Sequence, residues 1–201
     1  VPAEGASALW NIQISARSTD PTANRASAEV LMFNSGGTGA RPSLDGLSAT
    51  AFPSGVSTMS VEATEHVGPI VVWTKELREG SGGAGLYRGG LGQIIEIEAR
   101  EGYDLWFNAM FDRVDYPARG REGGHDGAAG AVALTDGTKL RSKGRQKVAE
   151  GQRLRLSLPG GGGYGVPQDR EANAVVADLA AGLISQAQAR DVYGYEDAND
   201  D

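Results

Sequence analysis

The stretch RLRLSLPGGGGYGVP (Arg153–Pro167) changes character twice within a few turns of chain. Its first part alternates strictly. Leu154, Leu156 and Leu158 fall on one side and Arg153, Arg155 and Ser157 on the other, which is the period of a half-buried β-strand. Then come Gly160–Gly163, Tyr164 and Gly165. Glycine loses more backbone freedom on folding than any other residue, so such a run needs a compensating reason. The run contains G-x-G-x-x-G at Gly160, Gly162 and Gly165, after a strand and before a helical pattern. A dinucleotide site also needs a returning parallel strand that ends in an acidic residue roughly 20 positions on, and none follows. A Walker loop fails as well, because Val166 and Pro167 stand where Lys and Ser/Thr are required. The run is therefore read as a strand-to-helix corner. Its backbone turns and packs closely under Tyr164, against the chain's own core or against a ligand pocket.

On the N-terminal side of this corner the pattern is β. AEVLMF (28–33) and PIVVW (69–73) read as short buried strands. In QIIEIEA (93–99), Ile95, Ile97 and Ala99 alternate with Glu96 and Glu98. DLWFNAMF (104–111) follows after a turn at Glu101-Gly102. GAVAL and TKL flank Asp136-Gly137, a hairpin signal. Residues 1–26 carry only weak patterning. NSGGTGARPSLDG (34–46) and GSGGAGLYRGGLG (80–92) are glycine-rich loops.

Beyond the corner the period becomes helical. Asp169 is the expected N-cap, and Val175, Val176, Leu179, Ala180 and Leu183 form one apolar stripe. Gly182 closes this helix. Ser185 caps a second one bearing Ala189, Val192 and Tyr193, closed by Gly194. A helical hairpin packed on the β-structure is expected. A DNA reader is not, because the second helix carries a single Arg in an acidic chain.

The fold class is thus α+β: a β-rich, mainly antiparallel part over residues 1–165, then a helical hairpin and acidic tail over 166–201. Glycine supplies 30 of the 201 residues, about twice the usual share, yet aliphatic runs separate the clusters. That describes a folded, turn-rich chain. The net charge of −7 disfavours nucleic-acid partners, and the lack of Cys removes disulfides and thiolate metal sites. No apolar run reaches the ~20 residues of a membrane span, so no membrane partner and a cytoplasmic location are expected. The first residue is Val1, which fits a piece of a longer chain.

Residues able to carry chemistry are few. His66 follows Glu62 and Glu65 in VEATEH, and His125 is the only other histidine. That is too sparse for a metal site, so no metal ligand is assigned. No G-x-S-x-G elbow supports a serine triad. Glu62 and Glu65 fall on opposite sides of a strand but share one side of a helical turn. Asp45 lies in a turn. Arg88, between glycines, can clamp an anion or form a salt bridge.

Taken in order, GGTGARPSLDGLSAT, VEATE, ELREGSGGAGLYRGGLGQIIEIEA, RVDYPARGREGG, KGRQKVAEGQRLRLSLPGGGGYGVPQDR and VVADLAAGLISQAQARDVYG form a series. It resembles the C-terminal third of the hydantoinase B/oxoprolinase family, over roughly residues 1–194. SGGAGLYRGGLG and LPGGGGYG are its most specific pieces. The chain departs from the family pattern at Gly80-Ser81-Gly82-Gly83, where Asp-Ser-Gly-Gly is usual. It departs again at Thr58-Met59-Ser60-Val61, where Asn-x-Pro precedes the first Glu.

The resemblance implies an ATP-dependent hydrolase of cyclic amides (hydantoin, oxoproline or lactam). ATP is held by a partner A-type subunit, which phosphorylates the substrate, and the remainder of the B-type subunit completes the site. For some members it implies a divalent metal, with ligands mostly outside this chain. Two other readings stand beside it: a ketone carboxylase of the acetone or acetophenone type, and a non-catalytic scaffold segment. Within the first reading, Gly36, Gly37 and Gly39 line the substrate site and offer N–H groups to a developing oxyanion. Asp45, Glu62 and Glu65 are the acid/base candidates, and Arg88 holds an anionic group.

Overall fold

The computed structural model describes residues 1–51, 55–56 and 58–196; residues 197–201 of the expected acidic tail lie outside them. Among the described residues eight strands form in chain order: β1 (Trp10–Ser18), β2 (Ala28–Asn34), β3 (Ile70–Leu77), β4 (Gln93–Ala99), β5 (Tyr103–Met110), β6 (Ala131–Leu134), β7 (Lys143–Val148) and β8 (Arg153–Ser157). The same residues form the α-helices α1 (Val61–Val67), α2 (Ala172–Ala180) and α3 (Gln186–Tyr193). Among the described residues the strands pair antiparallel into two four-stranded sheets, ordered β2-β1-β5-β7 and β3-β4-β8-β6. The class is α+β, as expected.

The alternation in Arg153–Leu158 works as read. Leu154, Leu156 and Leu158 are fully buried, and the register sets Leu156 opposite Ile95 and Leu154 opposite Ile97. The other sheet contributes Trp10, Ile12, Ile14 and Ala16 from β1 and Leu105, Phe107 and Ala109 from β5, and both inner faces make one core. The rings of Trp10 and Phe111 stack with centroids 4.4 Å apart, and Trp10 Nε1 donates to the Asp112 carbonyl at 3.1 Å. The Asp136-Gly137 hairpin forms, with Gly137 at φ +92° and Leu134 N–H donating to Thr138 O at 2.9 Å.

Several expectations need correction. Residues 10–18, read as weakly patterned, form β1, whose buried residues alternate along the strand. β7 was not expected either; its KGRQKV holds one buried residue, Val148, and exists because β5 pairs with it. PIVVW is an edge strand rather than a buried one. Ile70 is buried but Trp73 is 55 % exposed, since only β4 pairs with β3 and a register shift falls between Val72 and Thr74. Glu96 is on the outer face as expected, yet it is buried beneath Arg153 and Arg155. Asp169 does not cap α2. It ends a 3₁₀ turn that starts at Pro167, and Glu171 takes the cap position. Val176 of the expected apolar stripe is exposed, while Val175 is buried. The second helix begins and ends as read: Ser185 Oγ accepts from Gln188 N–H at 3.1 Å, and Gly194 adopts φ +68°.

The glycine loops converge. Gly160–Gly165 runs between four other backbone segments, near residues 3–6, 36–40, 81–91 and 118–128. Gly160 N–H donates to Ala128 O, Gly161 to Gly90 O, Gly162 to Glu4 O, Gly163 to His125 O, Tyr164 to Tyr87 O and Gly165 to Arg121 O, all at 2.8–3.1 Å. Two of the three series return to the same segment after three residues, Gly160 and Gly163 to 125–128 and Gly161 and Tyr164 to 87–90; this is the period of a polyproline-II type helix, a form whose backbone makes no internal hydrogen bonds. Its hydrogen bonds are therefore all lateral. A Cβ added at any of Gly160–Gly163 would fall inside 3.0 Å of a neighbouring backbone: Ser81, Thr38, Arg119 and Ala84 in turn. Close approach, rather than conformational freedom, explains this run. Gly165 differs, with φ +76° where the chain turns toward the helices.

Candidate functional site

Beside this bundle lies a groove of about 790 Å3. One wall is Gly36, Gly37, Thr38 and Gly39; the other is Pro2–Leu9; Arg41, Leu47, Thr50, Ala51 and Arg113 complete it. The volume suits a small organic ligand, and the lining is mostly backbone and aliphatic with a few polar groups.

The wall has a specific cause. Gly37 N–H donates to Pro159 O, Ala40 N–H to Gly162 O and Gly90 N–H to Thr38 O, so residues 36–40 form one strand of the glycine bundle. A Cβ on Gly36, Gly37 or Gly39 would strike Pro159, Gly90 or Ala3 respectively. The N–H groups of Gly36 and Gly39 meet no acceptor among the described residues, although Gly36 is buried. A buried N–H without an acceptor costs about 1–3 kcal/mol.

On the opposite wall Glu4 receives Arg119 Nη2 at 2.7 Å and Arg113 Nη1 at 2.9 Å. The Arg119 side chain, then its N–H, hold the Glu4 carboxyl well below its ordinary value, at about 2. With Arg41 also on the rim, cationic groups outnumber the single carboxylate.

The other expected site residues lie elsewhere. Arg88 is 5 % exposed; its Nε donates to Asp178 Oδ2 at 3.1 Å. Arg170 reaches Asp45 with both Nη atoms at 2.8 Å and Asp178 Oδ2 at 2.8 Å, while Arg88 N–H donates to Asp45 Oδ1 at 2.7 Å. Asp45, Arg88, Arg170 and Asp178 are thus one charge-balanced cluster. Burial pushes the Asp45 carboxyl up, but Arg170 and the Arg88 N–H outweigh it and hold it below its ordinary value. Burial also drives the Tyr193 phenol up to about 12; its hydroxyl finds no partner among the described residues.

Glu62 and Glu65 do share one face of α1, with Ser60 as its N-cap. Glu62 is exposed, and Glu65 accepts from Val72 N–H at 2.8 Å. Neither lines the groove. Sequence reasoning missed Arg170 and Asp178. A signal existed for Asp178, a carboxylate three positions after the buried Val175 on the inward side of α2.

The donor sets bear on two groups, a nucleotide and a divalent cation, that the resemblance places on the partner or mostly outside this chain. All six N–H groups of Gly160–Gly165 are occupied by protein carbonyls, so this run does not fit a nucleotide phosphate. Among the described residues no three of His, Asp and Glu gather, so they do not fit a divalent cation. Among the same residues no helix is long and apolar enough to cross a membrane.

A β-sandwich edged by a glycine backbone bundle, with a glycine-walled groove beside it, defines the class. The pattern described as hydantoinase B/oxoprolinase matches residues 1–167, and the chain belongs to that family. It is 30 % identical over 201 residues to a putative D-/L-hydantoinase polypeptide of the B type from a Pseudomonas species, covering 96 % of this chain and 33 % of the relative. The crystal structure of an ATP-dependent caprolactamase from Pseudomonas jessenii superposes with TM-score 0.78 at 26 % identity, over 100 % of this chain and 36 % of that one. A nucleotide-free acetone carboxylase shares the fold, with TM-score 0.76 at 22 % identity over 96 % of this chain and 30 % of that one. The chain spans between a tenth and a third of the length of the curated relatives it matches.

Proposed function

We propose that this chain is the C-terminal part of the B-type subunit of an ATP-dependent hydantoinase or oxoprolinase. In this reading a cyclic amide is phosphorylated on an A-type partner and then hydrolysed with the B-type subunit. ATP belongs to the partner, and the remainder of the B-type subunit completes the site. The supporting observation is the groove at the glycine wall, in a chain whose relatives include a putative D-/L-hydantoinase and a caprolactamase.

The chemistry proposed for this chain is binding and charge stabilisation. Water adds to the carbon of the O-phosphorylated amide, the C=N electron pair passes to the ring nitrogen with the water's proton, and the C–N bond breaks to leave an acyl phosphate. A second water attacks that carbonyl carbon, putting negative charge on its oxygen before inorganic phosphate leaves. Gly36 and Gly39 N–H groups are donors without an acceptor among the described residues. Fixed donors of this kind stabilise a developing oxyanion by about 3–4 kcal/mol each. Gly37 holds the wall against Gly90, and Arg41 and Arg113 favour an anionic ligand. Glu62 is the freer of the two acid/base candidates on α1, since Glu65 already accepts the Val72 N–H, but neither lines the groove, which favours an acid/base group from the remainder of the B-type subunit. Asp45 and Arg88 are occupied by the ion cluster, which favours a supporting role for both.

The test is to fill the groove. Ala8 lines it and is exposed, so Ala8→Trp obstructs it without disturbing the core. In the complete complex, turnover of a cyclic amide is expected to fall at least about tenfold while assembly is retained. Unchanged turnover overturns the assignment of the groove and favours the scaffold reading, to which the ion cluster and the occupied glycine N–H groups also lend weight.

A further inference from the structure

The buried ion cluster joins parts of the chain that are remote in sequence. Asp178 sits on α2 and Arg170 directly after the 3₁₀ turn that precedes it; Asp45 and Arg88 belong to two glycine-rich loops. Arg170 is 8 % exposed and Asp178 is 5 % exposed. Arg170 Nη1 also donates to Leu86 O at 3.0 Å, and Arg88 Nη1 donates to Gly89 O at 2.8 Å. Two guanidinium and two carboxylate groups balance in charge, which a buried site requires. The tail helices add an apolar contact through Val175, Ile184, Ala189 and Tyr193, which meet Ala84 of the glycine loop.

From Asp45 the connections run directly to the groove. Gly46 N–H donates to Arg88 O at 2.7 Å. Leu47 N–H donates to Thr38 Oγ1 at 2.7 Å, and Thr38 N–H donates back to Leu47 O at 2.9 Å. Arg41 Nη2 donates to Asp45 O at 3.3 Å. Arg41, Leu47 and Thr38 all line the groove. The segment 41–47 contains no strand or helix, so its position depends on these ties.

We propose that the C-terminal hairpin is a strut for the groove: Arg170 and Asp178 are positioning residues that act through Asp45 to hold the 41–47 wall in place. The identification of the groove as a substrate site rests on the function proposed above, but the mechanical coupling does not. It predicts that loosening the tail loosens a wall the tail does not line.

Amide hydrogen exchange on the full 201-residue chain tests this without any ligand, so its failure is separable from failure of the functional reading. Two variants are used. Asp178→Asn breaks the cluster directly. Val175→Ala loosens α2 through its apolar contact and leaves all four charged groups intact. Both are expected to speed exchange in α2 and α3 and, on the order of tenfold, at Thr38, Gly46 and Leu47, while β1 and β4 amides keep their rates. Faster exchange confined to the tail in Val175→Ala overturns the proposal. So does a uniform rise that includes β1 and β4, which reports general destabilisation.

Discussion

Gly161→Ala probes the glycine bundle at its centre. The added Cβ would lie 2.8 Å from the Gly39 nitrogen and nearer still to the Thr38 carbonyl. Both obstacles are backbone and cannot rotate away, so the segments must separate by on the order of 1 Å, and overpacking of this kind costs about 1–3 kcal/mol. Two lateral hydrogen bonds stretch with them, Gly161 N–H to Gly90 O and Gly83 N–H to Gly161 O. Each contributes about 0.5–1.5 kcal/mol. Lower entropy of the unfolded chain offsets about 0.4–1 kcal/mol. The expected net loss is about 1–6 kcal/mol, centred near 3, a large share of the roughly 5–15 kcal/mol typical of a folded domain. Gly151→Ala is the matched control. That glycine has φ +76° and open space around its Cβ position. Its cost is therefore the left-handed conformation alone, about 1–2 kcal/mol. Urea unfolding followed by tryptophan fluorescence reads both. With a slope of about 2 kcal/mol/M, Gly161→Ala should lower the midpoint by about 1.5 M and Gly151→Ala by less. A Gly161→Ala midpoint at or above that of Gly151→Ala would refute close approach as the reason for the run.

Three further outcomes are expected. Asp178→Asn leaves Arg88 and Arg170 short of a buried partner and should cost about 3–5 kcal/mol in urea unfolding, whereas Asp191→Asn, in the exposed pair with Arg190, should cost under about 1 kcal/mol. Ile14→Ala, at the middle of β1, should cost about 2–5 kcal/mol by the same assay, because Ile14 is fully buried opposite Phe107. The Glu4 carboxyl is depressed in the folded chain, so its contribution is complete above its ordinary value of 4.5 and is lost as pH falls through about 2. Stability of the parent should therefore fall across that interval, and Glu4→Gln should show a shallower fall.

Local chemistry made part of this fold legible. Arg153–Ser157, Gln93–Ala99 and the Asp136-Gly137 turn each carry their own period or turn signal, and each formed where expected. Trp10–Ser18 was readable too, since Trp10, Ile12, Ile14 and Ala16 alternate, but polar flanks obscured it. Lys143–Val148 was not readable: its strand is imposed by pairing with β5, with almost no buried side chain. The glycine bundle was beyond local reading for the same reason. Its contacts link Gly160–Gly165 to segments as distant as Glu4, and no propensity encodes such partners. Gly36, Gly37 and Gly39 were found as a loop, and the structure sets them beside a groove. Asp45 and Arg88 stood out by type and surroundings, but their partners Arg170 and Asp178 appear only once the tail folds back.

The most direct test of the central claim uses the complete B-type subunit together with its A-type partner. Hydantoin, 5-oxoproline and a lactam are each incubated with ATP, and acetone and acetophenone with ATP and bicarbonate. Ring-opened or carboxylated product is quantified against ADP. The account predicts ring-opened product accumulating with ADP for at least one cyclic amide, and no ketone-dependent ADP. Carboxylated ketone without ring opening, or ATP turnover independent of every cyclic amide, would contradict it.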